Sequence, residues 1–90
     1  MISTINPNIF LDADLSIFGQ PTSVYSTYIN QIRDEYKVYP LIIYNNGRIK
    51  VLRHFLNMSR IYKTEHFYNL YEEQARKNIN MELKLLSYNV

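Results

Sequence analysis

A helical fold is what this sequence predicts, and three observations carry that reading. Apolar residues recur at three- and four-residue intervals through two long segments, one with Tyr25, Tyr28, Ile29, Ile32 and Tyr36, the other from Phe67 through Ala75 to Leu86. Residues that start and stop helices stand between segments: Asn6-Pro7, Gly19 to Pro21, Pro40 and Thr64. Hydrophobic residues make up 47% of the 90 residues, nine of which are tyrosine, and that composition lies far from disorder. The length allows one small domain over residues 1–90, and without cysteine its core must hold by packing or by a partner.

The first helix is expected from Pro7 to about Phe18, with Asn6 as N-cap, Pro7 at the first helical position, and Gly19 and Pro21 as the stop. Thr22 suits the cap of a second helix, which runs to about Val38 because the residue before Pro40 is pushed out of helical geometry. The third segment reads two ways. LIIY, NNG and RIKVL match a β-hairpin with an Asn-Gly turn. A helix starting at Pro40 would instead place Leu41, Tyr44, Val51, Leu52, Phe55 and Leu56 on one face, with Gly47 costing about 1 kcal/mol. The fourth helix runs from Glu65 to about Leu86 behind Thr64 as N-cap, with Phe67, Leu70, Tyr71, Ala75, Ile79, Leu83 and Leu86 as its stripe.

Several function classes are excluded. The sequence has no P-loop, no glycine-rich phosphate loop and no serine or cysteine nucleophile motif, and His54 and His66 lack ligand-like spacing. No apolar run is long enough to span a bilayer, and the start MISTINPNIF lacks an export signal, so a soluble cytoplasmic chain with no membrane partner is expected. Lys37, Arg48, Lys50, Arg53, Arg60 and Lys63 form a block over residues 36–64 that contains no carboxylate. Such a block suits phosphates or an acidic partner, or is simply a solvated face. Stacking of nucleic acid on the tyrosines is not expected, since helix-contact tyrosines explain them.

Asp14 has Phe10, Leu11, Ile17 and Phe18 three and four residues away, so a helix would project its carboxylate from an apolar surface. Such a group needs an arginine, hydrogen-bond donors, a proton or a metal. Asp12, between Asn8, Ile9, Leu15 and Ser16, is expected to face water.

FLDADLSIFG, YSTYINQIRDEY, GRIKVLRHFL, RIYKT and YEEQARKNINMEL, in this order and spacing, resemble the C-terminal region of the predicted metal-dependent phosphohydrolases of the HD superfamily. The resemblance covers nearly all of residues 10–86. It implies an all-α chain of four helices, and so favours the helix in the third segment, where Gly47 would permit a close helix contact. It also implies a divalent metal, manganese or magnesium, held by a histidine, a later His-Asp pair and a distant aspartate, activating water against a phosphorylated small molecule. The distant aspartate falls on Asp14, with Asp12 as helper or alternative ligand. The histidine and the His-Asp pair have no counterpart in this sequence. The chain by itself is therefore expected to hold no metal and to be inactive, with a ligand-bearing segment N-terminal to it or a homodimer as partner. Arg48 and Arg60 are candidates for phosphate or substrate, and Glu72, Arg76 and Asn78 also fall in a matching block, where Glu72 and Arg76 are spaced to support their own helix. A non-catalytic helical module binding a protein or an acidic partner is the alternative.

Overall fold

The computed structural model describes residues 7–88, so the expected cap at Asn6 lies outside it. Four α-helices and one 3-10 turn make up the ordered elements, with no strand among the described residues: α1 (Pro7–Asp14), the turn Ser16–Gly19, α2 (Thr22–Glu35), α3 (Leu41–Leu56) and α4 (Glu65–Tyr88). The fold is all-α, as the sequence predicts.

The first segment is shorter than expected. Leu15 N–H bonds both Leu11 O and Asp12 O at 3.2 Å, after which Phe18 reaches Leu15 and Gln20 reaches Ile17 in three-residue steps. This tightening ends α1 at Asp14 and carries Phe18 and Gly19 into the interior, where Phe18 is 4% exposed. Gly19 is needed there. A Cβ at this position would lie 2.7 Å from Tyr71 Cγ and closer still to its Cβ.

α2 begins behind Pro21 without a side-chain cap; Thr22 is its first residue, and its hydroxyl donates instead to Asn78 Oδ1 at 3.3 Å. It ends at Glu35, three residues before the expected end, and turns through Tyr36–Tyr39 to Pro40. α3 runs unbroken through Asn45, Asn46 and Gly47, so the hairpin reading fails there. Its buried positions Asn45 and Leu52 lie two turns apart, with Tyr44, Ile49, Phe55 and Leu56 packing beside them, a helical period that extended strands could not use against α4. Leu41 and Val51, expected on that face, are exposed. Gly47 makes no close helix contact either, since nothing lies within 4 Å of a Cβ there.

α4 is the element on which the others are assembled, contacting the 3-10 turn, α3 and α2. Thr64 caps it as expected: its hydroxyl accepts from Phe67 N–H at 3.4 Å. Ala75, Ile79 and Leu86 of α4 join Phe18, Tyr25, Leu52, Ile61 and Tyr62 in the core. Ile61 and Tyr62 belong to the α3–α4 connection, which its composition marks only as a break.

Candidate functional site

The DADL motif places its two carboxylates in opposite environments. Asp12, expected to face water, is fully buried: Oδ1 accepts Lys63 N–H at 2.8 Å, and Oδ2 accepts Thr64 N–H and the Thr64 hydroxyl, each at 2.7 Å. Burial alone would raise its pKa, but these hydrogen bonds and the Lys63 charge outweigh that and hold the carboxyl below its ordinary value. Asp12 thus fastens α1 to the cap of α4, and both oxygens are committed to that task rather than to helping a metal.

Asp14 is exposed at the end of α1, and its carboxylate has no hydrogen-bond or ion-pair partner among the described residues. Phe10 and Leu11, one turn before it, are 58% and 53% exposed. Ile17 and Phe18, expected beside it, are instead drawn towards the core by the 3-10 turn. The carboxylate therefore stands free on a short helix whose apolar side chains face outwards.

Several polar residues of the matching blocks are internal fasteners anchored on α4, whereas Arg33, Asp34, Glu35, Lys50, Arg53, Lys63, Glu73 and Lys77 are exposed. Glu72, 7% exposed, accepts Ile61 N–H at 3.0 Å and Tyr62 N–H at 3.1 Å, and it pairs with Arg76 at 2.8 Å. Arg76 in turn donates to Leu56 O and Met58 O at 3.1 and 2.8 Å, closing the C-terminal end of α3. The i, i+4 pair does more than support its own helix: it holds the connection that carries Ile61 and Tyr62. Asn78 Nδ2 donates to Phe18 O and Gln20 O, both at 2.8 Å, fixing the exit of the 3-10 turn.

Glu82 is 1% exposed and joins three helices. It accepts from the Tyr25 hydroxyl of α2 at 2.5 Å and from Arg48 of α3, at Nε (2.6 Å) and Nη2 (3.1 Å). Burial and this carboxylate push the Tyr25 phenol far above its ordinary range. The same carboxylate outweighs burial at Arg48 and keeps it firmly cationic. Arg60 spans Glu65 at 3.1 Å and lies 4.0 Å over the Tyr68 ring. The two arginines expected to be open for phosphate are thus both paired with carboxylates. His54 and His66 are exposed on separate helices.

No group of three or more His, Cys, Asp or Glu side chains capable of holding a metal occurs among the described residues. Asp14 offers one free carboxylate, and a divalent ion needs several further ligands; these residues alone do not fit a metal site. No helix of the described residues is long and apolar enough to cross a membrane. No protein-family model, curated protein or solved structure matches the chain.

Proposed function

We propose that this chain is the C-terminal helical part of a metal-dependent HD-superfamily phosphohydrolase and contributes Asp14 to a metal site completed by another segment. The observation that supports it most is the division of labour within DADL. Asp12 is locked inside, whereas the Asp14 carboxylate has no partner among the described residues, on a helix that exposes Ile9, Phe10 and Leu11. A free carboxylate amid outward apolar side chains suits a surface that closes against further helices, which would supply the histidines and exclude water around the ion. The resemblance of five sequence blocks to that family points the same way.

The test begins with the coding sequence upstream of Met1, where an in-frame histidine and a later His-Asp pair are expected. The protein so extended should hydrolyse an aryl phosphate with manganese, and Asp14→Ala should lower that rate at least about 100-fold while leaving the fold intact. Absence of such a segment, or full activity after Asp14→Ala, would contradict the proposal.

A second reading, a helical module for a protein partner, is favoured by a different surface. Where α2 meets α3, Tyr36, Val38, Tyr39, Leu41, Ile42 and Ile43 are all exposed, Val38 to 83%. Partner binding indifferent to chelators and to Asp14→Ala would select that reading.

A further inference from the structure

The groove between α2 and α3 has a volume of about 360 Å³, a size suited to a small organic molecule. Ile32, Ile43 and Val51 give it apolar walls, and Tyr36, Tyr39 and Tyr44 line it with aromatic faces. Tyr36 lies 5.9 Å from Tyr39 and 6.2 Å from Tyr44 between ring centroids. No residue of α1 takes part, so the groove is a different feature from the Asp14 surface.

Three independent features show that this is more than an apolar crease. The first is Arg48, whose side chain is only 10% exposed and which lines the groove. Its Nε and Nη2 are bound to Glu82, and its Nη1 has no acceptor among the described residues. The second is the Tyr44 hydroxyl, which is buried and has no hydrogen-bond partner among the described residues; such a group normally has one.

The third is Gly47, in the middle of a 16-residue helix at a position where glycine is unfavourable by about 1 kcal/mol relative to alanine. Neither a positive φ nor a close neighbour calls for glycine there. Its lack of a side chain keeps the groove open between Ile43, Tyr44 and Val51, one turn to either side of it, and the neighbouring Arg48.

Charge narrows the ligand class. Arg48 is balanced by Glu82, while the Arg33 guanidinium, 5.4 Å over the Tyr44 ring, has no carboxylate partner among the described residues, and the adjacent Asp34 pairs with Lys37. Arg33 is therefore a cation at the edge of the groove with no ion pair among the described residues, and Glu35, next to Tyr36, does not line the groove. We propose that this groove binds a small aromatic monocarboxylate, its ring among Tyr36, Tyr39 and Tyr44 and its carboxylate on Arg48 Nη1 and the Tyr44 hydroxyl. The bound anion fills the vacant hydrogen-bond positions and lies on the side of the Arg33 cation, while the tyrosines receive the ring by offset stacking.

Titration of the ¹⁵N-labelled 90-residue chain with naphthalene-2-carboxylate, followed by amide shifts, tests this. Saturable shifts are expected at Tyr36, Tyr39, Tyr44, Gly47 and Arg48, and the methyl ester should bind at least about tenfold more weakly because it lacks the charge that Arg48 reads. Two substitutions that spare the fold complete the test. Gly47→Leu fills the opening and should weaken binding at least about tenfold while the melting temperature holds or rises; Tyr44→Phe removes an unpartnered hydroxyl and should narrow the preference for acid over ester. Equal binding of acid and ester, undiminished binding by a folded Gly47→Leu chain, or no saturable shifts would overturn the proposal. So would the same shifts appearing on raising protein concentration alone, since a second copy would then occupy the groove.

Discussion

At Asp12 a carboxylate shut off from water accepts three hydrogen bonds, and replacing it with alanine leaves the Lys63 and Thr64 amides without partners. Asp12→Ala should cost about 3 kcal/mol, enough to lower the melting temperature of a chain this size by more than about 10 °C, whereas Asp14→Ala should leave it nearly unchanged. The two melts measured side by side separate the structural aspartate from the presented one. Because the Asp12 pKa is lowered by folding, its contribution is complete above the ordinary carboxyl pKa near 3.8 and is lost as pH falls through the lower folded value. Melting curves between about pH 2 and 5 should show this acid loss, and Asp12→Asn should flatten it. Asn45 is fully buried with both amide atoms unpartnered, so Asn45→Leu should raise stability by about 1–2 kcal/mol in chemical denaturation. A neutral or destabilising result would mean that the amide has a partner in solution.

Among the elements, α4 turns a string of buried polar side chains into fasteners. Glu72 with Arg76 holds the α3–α4 connection, Asn78 holds the 3-10 turn, and Glu82 holds α2 and α3. Removing one member strands a buried charge, so Arg48→Met should cost about 3–5 kcal/mol in urea denaturation, while Arg48→Met with Glu82→Leu should recover much of that loss. A single-variant cost below about 1 kcal/mol would show that the pair is solvated. Three of the helices were legible in the sequence because periodicity and stop residues are local: Thr64 caps α4, and Ala75, Ile79 and Leu86 of its stripe lie in the core, although Leu70 is exposed. The third was not, because its local spacing fits a hairpin as well as a helix. The polar fasteners were not, because they act over sequence separations such as the 51 residues from Asp12 to Lys63. Local spacing suggested a water-facing Asp12, since it counts neighbours on one helix and cannot see the α3–α4 connection folding over it. Gly19 and Gly47 show the same limit. The first reads as a stop and proves to be a close contact with Tyr71, while the second reads as a close contact and stands in open space.

Across the molecule, exposed apolar side chains among the described residues gather in two places outside the core, on α1 and where α2 meets α3. Ile9, Phe10 and Leu11 of α1 are each 46–58% exposed, and a symmetric pair of copies could bury them while leaving Asp14 at the edge. Sedimentation of the 90-residue chain should therefore show reversible self-association, weakened at least about tenfold by Phe10→Ser. Phe18→Ser would not serve, because Phe18 lies in the core and its loss would unfold the chain. A strictly monomeric chain at high concentration would show that α1 needs no cover. Whether α1 presents Asp14 to a metal held mainly by another segment, as proposed, is decided by manganese binding followed by electron paramagnetic resonance. The 90-residue chain alone should leave manganese in its free aquo form. A protein extended by the ligand-bearing segment proposed to precede it should bind manganese stoichiometrically and lose at least about tenfold in affinity on Asp14→Ala. Stoichiometric binding by the 90 residues alone, or unchanged affinity of the extended protein after Asp14→Ala, would contradict the account.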